Sequence, residues 1–452
     1  MTDFTELKTL VSGPVLTPDD DGFAEELVSN NLRWVHTPEV VVGAVSAADV
    51  AEAVRFAAAN DLPVRVLATG HGDEAAITTG LVITTRRLDQ VAVDPAAHTA
   101  TFGAGVRWSA IVAAAAEHDL AAITGAAATV GAVGYLLGGG LGPLARSHGM
   151  SSDYVTGFTV VTAAGDIVEA NATENPELFW ALRGGKGGLG VVTGASIRLV
   201  ELPALFAGNI VFAEENIEAV LRGWADYTQT APINVTTSIA FVRMPPLPEL
   251  PPFLSGKTVA MLRFAFPGDP ERGAESAAPL RALAPAVVDS IRPMRPIEVP
   301  SIHNDPTDPV AAALFGGLLD RIDENLVTAL LDLAGAGKEC ALVSVELRHI
   351  GSAAAVDVAE GSAAGGRDAS FTFAGVGVLV PPGIEPAVRA DGARLLDAVA
   401  PYLSPVSNIN FATTAYLDPA LFATCWSPAT AARLANIRAV FDPTGVFAFV
   451  PA

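Results

Sequence analysis

Two glycine-dense segments, GAAATVGAVGYLLGGGLG over residues 125–142 and RGGKGGLG over 183–190, limit the folds open to this chain more than any other feature. Neither has the Pro or Ser character of a linker, so the glycines read as ordered places of close backbone approach. A further such place is Ala68-Thr69-Gly70-His71-Gly72-Asp73, which follows the strand pattern Val64–Leu67 and sets a histidine between two glycines. A loop of that kind can bring N–H groups up to a phosphate. Gly185-x-Gly187-x-x-Gly190 and Gly140-x-Gly142-x-x-Ala145 match a dinucleotide fingerprint in letters, but that fingerprint needs a preceding strand and a following helix. The first runs from helix to strand and the second follows no clear strand, so a nicotinamide Rossmann domain is not expected.

Hydrophobic periodicity sets the surrounding elements. Val40–Val42, a helix opened by the capping box Ser46-Ala-Ala-Asp49, and Val64–Leu67 give strand, helix, strand. Val91–Asp94 with Thr99–Phe102, and Phe158–Ala163 with Ile167–Ala170, read as hairpins, and a helix is predicted near Trp108–His118. Asn175-Pro176 suits the N-cap and first position of a helix over Glu177–Leu182. Near Pro203 glycine thins out, which predicts a domain boundary there. Beyond it, strands are expected at 235–242, 258–265, 341–349 and 370–379 and helices near 215–229, 309–335 and 384–400, an antiparallel sheet with helices on one face. The fold class is therefore α+β. The expected domains are 1–203, 204–410, and a segment 411–452, with a helix over Ala431–Val440, that returns to the first.

At 452 residues the chain is long enough for two cores and a large cofactor. Its 27 Lys and Arg against 49 Asp and Glu, a net charge of −22, argue against nucleic acid as a partner. The first residues lack the basic and apolar regions of a secretory leader, and no apolar run is long enough to span a bilayer, so a soluble, cytoplasmic protein is expected. Cys340 and Cys425 make neither a disulfide framework nor a metal site, and no His, Asp or Glu cluster has metal spacing. Oligomeric state is not legible.

GHG at 70–72, TTRRLDQVAVDPAAHTATFGAGVRW at 84–108, TVGAVGYLLGGGLGPLARSHGMSSDYV at 129–155, VVTAAGDIVEANATENPELFWALRGGKGGLGVVT at 160–193 and FDPTGVF at 441–447, taken in order, resemble the vanillyl-alcohol-oxidase-like flavoproteins. Within these, the chain looks like the berberine-bridge-enzyme-type branch. The likeness runs over about 38–203 and 408–450; the middle domain matches only in outline. It implies a PCMH-type fold holding FAD, with the pyrophosphate on Thr69, Gly70, His71, Gly72 and Asp73 and on the region of Gly125, Thr129, Val130, Gly131, Gly134, Tyr135 and Gly138. It also implies that Gly190 and Val192 lie near the adenine and Asn410 and Phe411 near the ring. His71 matches the position of a covalent link to the 8α-methyl of FAD; the alternative is a histidine that only lines the loop. Relatives with a second link carry it on the Cys of a Cys-Pro-Thr-Val segment, which here reads Ala127-Ala128-Thr129-Val130, so a single link is implied. Val130 falls where relatives control the approach of O₂, or packs as a core valine.

Alternation over Leu342–His349 puts Ser344, Glu346 and Arg348 on one face and Val343, Val345 and Leu347 on the other. If the polar face roofs the flavin, Glu346 serves as a general base, or positions a hydroxyl, with a pKa raised by burial, Arg348 binds an anionic group or pairs with Glu346, and Tyr135 lines the site. The alternatives are a solvated strand for Glu346 and plain packing for Tyr135. His148 stands where relatives often have Tyr. The expected function is an FAD-dependent oxidase that takes hydride from a small organic substrate, hydrophobic or aromatic with a sugar as the alternative, and uses O₂ as acceptor. A flavin-dependent dehydrogenase or oxygenating enzyme, or a flavin-fold binding protein without turnover, remains open.

Overall fold

The computed structural model describes residues 2–72, 75–413, 419–447 and 449. The N-terminal half holds a four-stranded sheet in the order Val15–Leu16, Val40–Gly43, Leu81–Thr84, Val64–Leu67, whose last three strands are parallel. Beside it lies a five-stranded antiparallel sheet, Val91–Asp94, Thr99–Gly103, Val191–Arg198, Val155–Val161, Ile167–Asn171. Both expected hairpins are present in it. The helix Ala47–Ala59 starts where its sequence predicts, with the Ser46 hydroxyl accepting from Asp49 N at 3.1 Å. The Asp49 carboxylate does not close the box; it accepts instead from the backbone of Ser12, Gly13 and Val45 and ties the N-terminal segment down. Asn175 sits before the helix Pro176–Leu182 but at φ 49°, and its side chain donates to Glu169 O rather than capping.

The second half is an antiparallel sheet in the order Ala286–Asp289, Leu205–Phe212, Thr258–Pro267, Thr236–Arg243, Ser344–His349, Phe371–Val378, Ala312–Leu319, with Arg292–Met294 also pairing with Leu205–Phe212. One face packs on the helices Ile217–Thr228, Pro270–Arg281, Glu324–Ala334 and Glu385–Val399, burying Trp224, Phe264, Phe373 and Leu395. The helix expected over 309–335 exists only from Glu324, where Asp323 accepts from Asn325 N and Leu326 N. Residues 312–319 are an edge strand because Gly316-Gly317 weakens a helix there, and full pairing with Phe371–Val378 lays Gly317 over the Phe373 ring.

The tail returns to the N-terminal half. Leu434 and Ile437 of the helix Pro428–Phe441 pack with Phe158 and Leu178, and Val64 N donates to Val446 O at 2.8 Å. The glycine-rich region meets the large sheet through a small core of Leu141, Ala145, Met150, Leu318 and Ile350. Arg146 fastens that seam: its guanidinium donates to Val235 O and Ile350 O, each at 2.7 Å, and lies 2.9 Å from His349 Nε2. Burial and the Arg146 charge lower the His349 pKa to about 3, so this contact uses a neutral imidazole. Among the described residues no helix is long and apolar enough to cross a membrane.

Candidate active site

The register of the large sheet builds a charged row on the face away from its helices. Ser238 pairs with Arg263 on one side and with Arg348 on the other, so three polar side chains stand abreast, with Glu346 one pleat along. Val345 and Leu347 point into the helix-side core, as the alternation predicts. Glu346 Oε1 accepts from Ser238 Oγ at 2.9 Å and from Arg263 at 3.0 Å, and Oε2 accepts from Arg348 Nε at 2.8 Å. His303, at the end of the 3-10 segment Pro296–Ile302, brings Nε2 to 3.6 Å from Oε1.

Glu346 is 7% exposed, and burial pushes its carboxyl up, but Arg348 and Arg263 outweigh that and hold it well below the ordinary value. The raised pKa expected from the sequence is thus corrected. Desolvation alone raises a carboxyl; here two guanidiniums arrive from residues the pattern of one strand cannot reveal. Glu346 is a fixed negative charge and a weak base. His303 moves the same way for another reason: burial, then the Arg348 charge, lowers its pKa below 6.5 and keeps the imidazole neutral.

Arg263, His303, Arg348 and Ile350 share a cleft with Leu141 and Gly142, so the row faces the glycine-rich region. Tyr135 lies close enough for Arg348 to oppose the burial that raises its pKa. The Tyr135 ring packs edge-on to Trp108 at 6.0 Å, between Gly125 and Gly140, where a Cβ on either would strike it. Its hydroxyl is buried without a hydrogen bond of ordinary geometry among the described residues.

The loops named from the sequence also meet. Thr69 Oγ1 accepts from Gly131 N at 3.4 Å, and Gly70, at φ 70°, accepts at its carbonyl from Ser29 Oγ at 3.0 Å. His71 is half-buried at the tip and Gly72 is exposed; Asp73 lies outside the described residues. Thr129 and Val130 are half-buried on the turn before Gly131. Asn410 reaches under this turn: its Nδ2 donates to Tyr135 O at 2.8 Å, and its Oδ1 accepts from Lys186 Nζ at 2.7 Å beside Gly138. Phe411 packs in the seam with Leu141, while Val192 is buried in its strand and Gly190 packs on Val160. Arg263, Ser238, His303 and Lys186 were not foreseen. A polar Arg263 on an otherwise apolar strand was the one available signal.

Residues 38–171 match the family model described as FAD binding domain. The chain is 38% identical over 208 residues to (R)-6-hydroxynicotine oxidase of Paenarthrobacter nicotinovorans, covering 45% of each. It spans about half the length of the curated relatives it matches. The solved structure of 6-hydroxy-D-nicotine oxidase from Arthrobacter nicotinovorans superposes over 97% of this chain and 96% of that one, with a TM-score of 0.80 and 26% identity. The BBE-like 1 protein of Physcomitrella patens shares the fold at a TM-score of 0.85 over 100% of this chain and 98% of that one, at 19% identity. The ordered motifs, the two-part fold and the FAD-domain match agree: the chain carries an FAD binding domain over residues 38–171 and shares the fold of the 6-hydroxy-D-nicotine oxidase and BBE-like structures, as its resemblance to the vanillyl-alcohol-oxidase-like flavoproteins implies.

Proposed function

We propose that this chain is an FAD-dependent oxidase of a small organic alcohol or amine, with residues 1–203 and 411–452 holding the cofactor and 204–410 covering the substrate. The observation that carries this reading is the cleft shared by Arg263, His303 and Arg348 with Leu141 and Gly142, which sets an ordered charged row against the glycine-rich turn. The space around that turn fits a bound flavin. A Cβ at Gly72 or Gly134 would meet nothing within 4 Å, whereas one at Gly125, Gly138, Gly140 or Gly142 would collide with the protein. Thr69, Gly70, Gly72, Thr129 and Gly131 would carry the pyrophosphate. Gly190 and Val192 would stand near the adenine, and Asn410 and Phe411 near the ring. Single attachment through His71 rests on its place at the loop tip and on alanine at 127.

Bound FAD supplies a two-electron acceptor for a substrate C–H bond. The protein's part is orientation and charge. Leu141, Ile302 and Ile350 offer apolar walls to a hydrophobic or aromatic body, while Arg348 faces its polar end. The nicotine oxidases among the relatives act on a heteroaromatic amine by name, in keeping with such a lining. Holoprotein photoreduced without oxygen and then returned to air is expected to regain its oxidised spectrum and release equimolar hydrogen peroxide. Reoxidation by an artificial quinone but not by air would assign a dehydrogenase; no reoxidation by any acceptor would leave only a binding protein.

A further inference from the structure

Proton transfer needs a group that is unprotonated at neutral pH yet basic enough to accept, and Glu346 is unsuited to it. Both its oxygens are engaged by Ser238, Arg263 and Arg348, so a proton arriving there would have to displace a guanidinium. His303 has the opposite situation. It is 7% exposed, lines the cleft, and neither ring nitrogen makes a hydrogen bond among the described residues. Nε2 lies 3.6 Å from Glu346 Oε1, whereas Nδ1 has no acceptor or donor in hydrogen-bond range among the described residues, which costs about 1–3 kcal/mol for a buried group.

We infer that His303 takes the substrate's proton, with Glu346 as the buried counter-charge that steadies the imidazolium so formed. This rests on the oxidase reading above. The substrate O–H or N–H bond breaks and its proton passes to an imidazole nitrogen. The electron pair left behind closes a C=O or C=N bond, and hydride leaves the adjoining carbon for FAD. The substrate loses two hydrogens and two electrons; FAD receives the two electrons with one hydrogen, and His303 holds the other as H⁺.

The charged groups facing His303 set the direction of its titration. Arg348 and Arg263 disfavour the imidazolium and Glu346 at 3.6 Å favours it, while Asp305 acts more remotely through Arg348. With Nε2 turned to Glu346, Nδ1 is the nitrogen left to accept.

Nitroethane and its pre-formed anion, ethyl nitronate, separate the proton step from the electron step. The neutral acid must lose a C–H proton before its carbon can be oxidised, whereas the anion needs no base. Wild-type holoprotein mixed anaerobically with each should bleach with both. His303→Gln should lose about a hundredfold or more with nitroethane and keep the nitronate rate within a few-fold. Retention of the nitroethane rate in that variant overturns the proposal. Failure of photoreduced wild type to reoxidise in air sinks the oxidase reading itself, independently of this comparison. In ¹³C-histidine-labelled holoprotein, the His303 resonance, assigned by its absence from His303→Gln, should titrate below 6.5. Glu346→Gln should move that midpoint lower by about one unit or more; an unmoved midpoint overturns the pairing, whatever the activity.

Discussion

Glu346→Ala is expected to lower folding stability by about 3–5 kcal/mol, the usual consequence of stranding buried charge. Arg263 would keep its place at 7% exposure with its acceptor gone, and the guanidinium of Arg348 would lose its carboxylate as well. Glu346→Gln should fall between the two, since an amide oxygen still accepts from Ser238 or one arginine but carries no charge. The pH dependence follows from the depressed carboxyl. A folded-state pKa below the ordinary 4.5 gives stability that is complete above 4.5 and is lost as pH falls through the folded value. The gap between wild type and Glu346→Ala in urea unfolding should therefore be full at pH 7 and shrink on acidification below 4.5. A gap under about 1 kcal/mol at neutral pH, the worth of an exposed ion pair, would mean the row is solvated rather than buried.

Gly140→Ala should be the most damaging single methyl in the glycine-rich region. Gly140 has φ 90°, and its added Cβ would run into the Tyr135 ring. A left-handed backbone costs an L-residue about 1–2 kcal/mol, and overpacking adds about 1–3 kcal/mol. Gly125 also lies so near the ring that a Cβ there would strike it, which leaves Tyr135 little room to move, so both stability and flavin content should drop. Gly134→Ala is the contrasting substitution. It lies in the helix Ala132–Leu136 with open space at its Cβ, so the fold should hold or gain about 0.5–1 kcal/mol. If that space belongs to the cofactor, flavin content should nevertheless fall. Unchanged flavin in Gly134→Ala, measured by absorbance against tryptophan, would place the cofactor elsewhere.

Local patterns carried a great deal. Two hairpins, the Ser46 N-cap and the two faces of Ser344–His349 were legible because each depends on neighbours in sequence. The glycine segments pointed to close approach before any contact was known, and Gly142 against Thr124 O and Gly140 against Tyr135 are such contacts. What stayed hidden was non-local. The row Arg263, Ser238, Arg348 depends on the register of three strands, and no single strand states it. That omission is also why the Glu346 carboxyl was expected to shift upward, since its partners decide the direction. The sequence pattern predicts helix over 309–335, whereas the open edge beside Phe371–Val378 pairs with residues 312–319 as strand.

The central claim, a flavoprotein carrying FAD on His71, is tested most directly by denaturing purified holoprotein in acid and following the yellow chromophore. The expected result is a yellow pellet, with one flavin mass on the peptide that contains His71 and none elsewhere. A white pellet with FAD in the supernatant would contradict the covalent bond while leaving the family intact, and a protein that binds no flavin even after reconstitution would contradict the account at its root.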